Sequence, residues 1–287
     1  VTLDSLSTFE GIAAASMEYY QWTDGLTPDT AGDGKHFYTA DSLFNLAQVG
    51  MEQMGASLLE GESLALDHPA YRRVWQAVFE PAVRGGYAIY DGYSSDLSKT
   101  GEIVCSTGST AGILFYGDRI TYPDNTTEQV EYTVLPFPTF EGGKKIAIQR
   151  GNGLVVARST PEKEQAAVLF LKWFTQPEQN MRFVASTGYL PVTKAAFENS
   201  MDQEIATNEN VNIQKLLRTA VQVYSEYEFY IPPVFDSFNA LRRSYEADFL
   251  TAAGAAREES CALVETTEPD AAYEAAVQGR FEAFTGR

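Results

Sequence analysis

Basic residues are scarce. Only 21 Lys and Arg stand against 39 Asp and Glu in 287 residues, a formal net charge of −18. Nucleic acid is therefore excluded as a partner, because a phosphate backbone is held by clustered cations; the acidic balance serves solubility. Histidine is scarcer still. The two imidazoles of His36 and His68 disfavour zinc chemistry, and no motif demands a cofactor of another kind. The two cysteines, Cys105 and Cys261, have no metal-like spacing. A disulfide would suit an exported protein, and two buried thiols would serve as well. No apolar run approaches the ~20 residues that span a bilayer. No export signal is visible, which leaves an intracellular, processed or truncated chain. Repeats and low-complexity tracts are absent. What remains is a chain with 44% hydrophobic residues, long enough for one large or two ordinary domains with a substantial core.

The most informative stretch runs from Val130 to Val192. Val130, Tyr132 and Val134 alternate with polar residues, which predicts a half-buried strand, and Pro136 and Pro138 end it. Gly142-Gly143 turns the chain. Ile146 to Ile148 and Leu154 to Val156 predict two more strands, with Arg150 in the loop between them. Thr160 and Pro161 open a helix as cap and first residue. Ala166, Ala167, Phe170, Leu171 and Phe174 give that helix one apolar face, and Trp173 beside them is expected in the core. Pro177 begins a second helix, which Gly188 can end.

The order of these pieces resembles the C-terminal half of the family 1 extracellular solute-binding proteins, the binding components of ABC importers, mostly for sugars. The resemblance rests on Leu135 to Pro138, Glu141 to Lys144, Gly151 to Val156, Ser159 to Ala166, Phe170 to Phe174, Pro177 to Asn180 and Gly188 to Val192. It implies an α/β, two-lobed periplasmic-binding-protein-like (type II) fold, here mainly the C-terminal lobe with a partial N-terminal lobe. Residues 1–150 and 201–287 would form the C-terminal lobe. Residues 151–200 would cross the hinge into the N-terminal lobe, whose first strands the resemblance does not find. A full-length precursor would carry an export signal and be extracellular or periplasmic, anchored as a lipoprotein. The implied partners are a carbohydrate ligand and the membrane permease of an ABC transporter.

Earlier in the chain, Ser7-x-x-Glu10 is a capping-box pattern before a helix through Ile12, Met17 and Tyr20. Trp22 to Gly34 reads as a loop. Asp41 precedes a second helix, with Leu43, Leu46, Ala47 and Met51 on one face. Just before it, Tyr38 either faces the ligand cleft, as the resemblance implies, or staples the helix start. Asp67 and Pro69 open a third helix, whose stripe of Tyr71, Val74, Trp75, Val78 and Phe79 reads as core. Tyr87, Tyr90 and Tyr93 follow in a polar loop, where tyrosines suit a cleft. A strand over Glu102 to Thr107 leads into Gly108-Ser109-Thr110-Ala111-Gly112, so Ser109 and Thr110 either cap the next helix or meet ligand. The Gly-x-Ser-x-Gly elbow of a serine nucleophile fails, because position 107 is Thr. Near the C-terminus, Tyr227 to Phe238 is dense in aromatics around Pro232-Pro233. Tyr230 and Phe235 are the cleft candidates there. A long helix runs to Gly254, Ala255 to Thr267 reads as an insertion, and one last helix covers Pro269 to Phe284.

The ligand-binding set is thus Tyr38, Tyr90, Tyr93, Ser109, Thr110, Arg150, Tyr230 and Phe235. Rings suit the apolar faces of a pyranose, and hydroxyls suit its rim. The function expected is capture of a sugar or oligosaccharide for an ABC importer, without catalysis. The alternatives are a glycan hydrolase using paired carboxylates and the sensing ectodomain of a receptor. No carboxylate pair is marked, since Asp91, Asp96, Glu102 and Asp118 are scattered on polar loops.

Overall fold

The computed structural model describes residues 1–30 and 32–286. Ala31, in the expected loop, and Arg287, at the end of the last segment, lie outside the described residues. In chain order the elements are α1 (Phe9–Asp24), β1 (Tyr38–Ala40), α2 (Leu43–Gln53), β2 (Leu59–Glu60), β3 (Ser63–Leu64), α3 (Pro69–Arg84), α4 (Ser94–Thr100), β4 (Cys105–Thr107), β5 (Arg119–Thr121) and β6 (Thr127–Gln129). They continue with β7 (Ile146–Ile148), α5 (Pro161–Phe174), α6 (Pro177–Thr187), α7 (Lys194–Thr207), α8 (Val211–Glu226), β8 (Glu228–Tyr230), α9 (Phe238–Val264), α10 (Pro269–Val277) and α11 (Arg280–Thr285).

Helix starts follow local chemistry. Ser42 and Thr160 accept from the backbone N–H groups of Asn45 and Lys163 and so begin α2 and α5. Two expected caps move by one residue. Thr8, not Ser7, caps α1, because Ser7 already bonds back to Asp4. His68, not Asp67, caps α3. Gly85 ends α3 in the left-handed region, at φ 93°. The long α9 passes through Gly254 without a break and takes in most of the expected insertion. The last expected helix is two, α10 and α11, separated at Gln278-Gly279.

Strands are short and paired. β1 and β4 are parallel, with Tyr38 opposite Cys105 and Ala40 opposite Thr107. A parallel bridge from Tyr38 to Tyr87 adds a third extended segment beside β1. β7 and β8 are parallel, with Ile148 opposite Tyr230. β2–β3 and β5–β6 are antiparallel pairs. Two expected strands do not form: neither residues 130–134 nor 154–156 enter a ladder.

The main core joins α1, α2, α3, α9 and α11. Trp75 is 6% exposed. It stacks on Phe79 with centroids 4.0 Å apart and meets the rings of Phe249 and Phe284 at 5.2 and 5.0 Å. Beneath them the hydroxyls of Tyr71 and Tyr245 pair at 2.9 Å, which satisfies two buried polar groups at once. A second cluster holds α6, α7 and α8 together through Met181, Val184, Met201, Ile205, Ile213 and Leu217. The expected boundary between residues 200 and 201 falls inside α7, whose two halves both feed this cluster. α5 buries no residue. Trp173, expected in the core, is 47% exposed, and Val155 before the helix is 91% exposed.

Candidate functional site

A parallel pair delivers both of its following loops to the same edge, the carboxyl ends of the strands, where open α/β sheets bind ligands. β1 leads there into Asp41 and the start of α2. β4 leads into Gly108 and the 3-10 turn Thr110–Phe115. The segment beside β1 leads from Tyr87 into Tyr90, Tyr93 and the start of α4.

Asp41 ties these three loops together. Its backbone N–H donates to the Thr107 carbonyl at 2.9 Å. One carboxylate oxygen accepts from the backbone N–H of Ser94 at 2.8 Å. The other oxygen lies against Gly108 so closely that a Cβ there would collide with it, so glycine is required at that contact. Tyr116 braces the same loops from beneath, with its hydroxyl 2.7 Å from Ser94 Oγ and 2.9 Å from Ser106 Oγ.

The expected residues divide in this setting. Tyr38 is buried at 2% exposure. Its ring meets Tyr87 edge-on at 5.2 Å and its hydroxyl pairs with Thr107 Oγ1 at 2.6 Å. Burial holds its ionisation well above the ordinary tyrosine range. The alternation of β1 thus turns Tyr38 into the core, and its ring offers a ligand no face. Tyr90 and Tyr93 are exposed, Tyr93 to 71%, and the ring of Tyr90 lies directly over Gly92. Ser109 is exposed; its Oγ accepts from the backbone N–H of Ala111 at 3.3 Å, so it caps the 3-10 turn. Thr110 is half-buried, and its carbonyl lies beneath Gly188 at the end of α6.

The other parallel pair carries the rest. Arg150 follows β7, is exposed, and donates from Nη1 to Asn45 Oδ1 at 3.1 Å. Tyr230 ends β8. It is half-buried, and its hydroxyl accepts from Gln48 Nε2 at 3.2 Å. Burial raises its pKa, and the Glu52 carboxylate adds to the effect. Phe235 is half-buried and sits edge-on against Phe238, which in turn meets Phe44 in the core.

The hub joining both groups is the start of α2. Asp41 reaches the β4 loop and α4, Asn45 reaches Arg150, and Gln48 reaches Tyr230. Ser42 Oγ donates to Glu246 Oε1 of α9 at 2.5 Å, and the same oxygen accepts from Phe44 N–H. Arg242 faces Glu246 one helical turn away, 3.7 Å between charged atoms. From sequence Asp41 marks only the start of a helix, and Ser42, Asn45 and Gln48 escape notice. Asp-Ser before an apolar helix reads as a cap, although polar residues at positions 42, 45 and 48 also fall on one strip of the helix.

Two surface depressions lie away from these residues. One, of about 220 Å³, runs between α1 and α3 beside Glu10, Arg73 and Glu80. The other, of about 170 Å³, lies beside Lys194, Phe197 and Tyr224. Among the described residues no group of His, Cys, Asp and Glu is placed to hold a metal ion, and no helix is long and apolar enough to cross a membrane. Cys105 and Cys261 are both free thiols.

Solved structures share this architecture. The cyclic alpha-maltosyl-1,6-maltose binding protein from Arthrobacter globiformis superposes with a TM-score of 0.60 at 16% identity, covering 98% of this chain and 65% of that one. UgpB from Mycobacterium tuberculosis, in complex with glycerophosphocholine, gives 0.62 at 16% identity, covering 98% and 63%. Maltose-bound MalE3 from T. maritima gives 0.55 at 14% identity, covering 98% and 65%. The chain therefore spans just under two thirds of the length of these proteins. At such identities the likeness is one of fold, that of the two-lobed periplasmic-binding-protein-like α/β proteins. No curated protein matches the chain. Residues 3–212 match the model of the bacterial extracellular solute-binding proteins, and the chain belongs to that family.

Proposed function

We propose that the protein captures a sugar or oligosaccharide at the edge built around the start of α2 and delivers it to the membrane permease of an ABC importer. The observation that supports this reading is that Asp41 ties the loop leading into α4, which carries Tyr90 and Tyr93, to the loop after β4, which carries Ser109 and Thr110. Exposed rings can stack on the C–H faces of a pyranose, and the hydroxyls and Arg150 can meet its rim. Two of the similar structures are those of a maltosyl-maltose-binding protein and a maltose-bound protein, which agrees with this chemistry. On this reading residues 1–150 belong to one lobe and the chain crosses towards a second near α5, while the boundary expected after residue 200 gives way to the continuous helix α7. The open face of α5 supports that division, since it is where a second lobe would close its own core. Extracellular placement follows from the family; a lipid anchor belongs to the same proposal.

The test is calorimetric titration of the protein with maltose and maltotriose, beside Tyr93→Ala and Ser109→Ala. Saturable heat in the wild type, weakened in both variants while their melting temperatures hold, is the expected result. Saturable binding that both variants leave intact would move the site elsewhere. Release of reducing sugar would replace capture with hydrolysis.

A further inference from the structure

The wall of the site made by α2, β7 and β8 has a direction. Asn45 and Gln48 lie three residues apart on α2, one turn along the same strip. Each holds one residue that leaves a parallel strand. Asn45 meets Arg150 with its carbonyl oxygen at 3.1 Å. Gln48 meets the Tyr230 oxygen with its amide N–H at 3.2 Å. A guanidinium held by one N–H keeps its other donors free. A tyrosine oxygen that accepts from an amide keeps its proton to give away. Both contacts therefore turn donors outward.

Gln48 is 1% exposed, and its Oε1 is buried without a partner among the described residues. Buried polar groups without partners are rare in native proteins. The hydrogen bond to Tyr230 is thus the polar contact that this buried amide makes at the cost of its own carbonyl. Tyr230 remains protonated at neutral pH, since burial raises its pKa.

We propose that Asn45 and Gln48 are positioning residues that fix Arg150 and Tyr230 as hydrogen-bond donors, so that this wall takes ligand oxygens as acceptors. The inference rests on the carbohydrate site proposed above, and its test separates the two.

Maltotriose is the probe, and wild type, Gln48→Met, Tyr230→Phe and the double variant are titrated with it. Methionine conserves volume and removes both polar ends. Gln48→Met is expected to weaken binding about threefold to tenfold with no loss of melting temperature, in the range of one neutral hydrogen bond. The double variant is expected to bind no worse than Tyr230→Phe alone, because the two side chains act as one unit. Additive losses would overturn the proposal. Asn45→Asp keeps the acceptor for Arg150 and is expected to bind as wild type does, whereas Asn45→Leu is not; equal binding by these two would overturn the role of Asn45.

A ligand-free measurement decides the Gln48 contact on its own. Fluorotyrosine incorporated into the protein, with Tyr230→Phe to assign its signal, reports Tyr230 ionisation by fluorine NMR. Loss of the amide N–H removes a bond that favours the phenolate, so Tyr230 is expected to ionise at higher pH in Gln48→Met. An unmoved titration means that the amide does not donate to Tyr230, and the proposal falls. A protein that ignores maltotriose but shows the shift would fail as a maltotriose binder while keeping its donor wall.

Discussion

α3 and α5 begin alike and end differently. Each has proline at its first position, a side chain capping its first turn and a tryptophan on an apolar face. α3 buries eight residues, and α5 buries none. Cap, proline and apolar spacing write a helix, but burial needs a second surface. α3 meets α1, α2 and α9, while α5 makes a small contact with α6. The exposed ring of Phe170 packs against exposed Trp173 and half-buried Phe174.

The sharpest way to break this comparison is to remove both tryptophans. Trp75→Ala should cost about 3–5 kcal/mol of unfolding free energy, as expected for a buried ring in a packed core. Trp173→Ala should stay within about 0.5 kcal/mol in the same chain, as for a surface residue. Denaturant melts of the two variants check both values; equal losses would show that α5 has a partner after all. A second probe of packing on the α3 side is Gly50→Ala. Its new Cβ would run into the Phe140 ring, and overpacking of this kind costs about 1–3 kcal/mol.

The two thiols extend the contrast to chemistry. Burial pushes the Cys105 thiol up to about 11, whereas Cys261 is exposed on α9. Alkylation of native protein near pH 8, read by peptide mass, should label Cys261 and spare Cys105 until the protein is denatured. The same shift has a stability consequence. The folded thiol holds its proton more tightly than the unfolded one, so its contribution is fully present below the unfolded value near 8.5. It is lost as pH rises from there towards 11. A Cys105→Ala variant should show a flatter stability profile across that window in thermal melts.

The smallest expected effect lies at the proposed ligand edge. Thr110→Ala should weaken sugar binding by about 0.5–1.5 kcal/mol, the value of one neutral hydrogen bond. Titration and melting measured together check it: lower melting with unchanged affinity would leave Thr110 a purely structural part of its turn.

The sequence announced helices far better than strands or burial. Pro69, Pro161 and Pro177 open the helices expected of them, and Gly85 and Gly188 close theirs. Those signals act within one turn. The strand expected over residues 154–156 has apolar residues but no ladder, because pairing is decided by a neighbour that alternation cannot supply. Tyr38 shows the same limit at the site. Its aromatic character was legible, but its side of β1 was not, and one residue of register separates core from cleft. The contacts of Asp41, Asn45 and Gln48 were not legible because their partners Ser94, Arg150 and Tyr230 lie 53, 105 and 182 positions away. Such distances carry no local pattern.

The length of α9 has a practical consequence. Fifteen residues separate Glu246, which holds the cap of α2, from Cys261, so at 1.5 Å per residue they stand about 22 Å apart on one rigid rod. The Cys261 end is anchored again where Arg257 donates to the Val83 carbonyl at 3.1 Å. A dye or spin label on Cys261 would therefore ride the body of the protein as a fixed beacon, well clear of the start of α2 where the sugar site is proposed. Paired with a second label on α5, it becomes a ruler for the distance between α9 and α5.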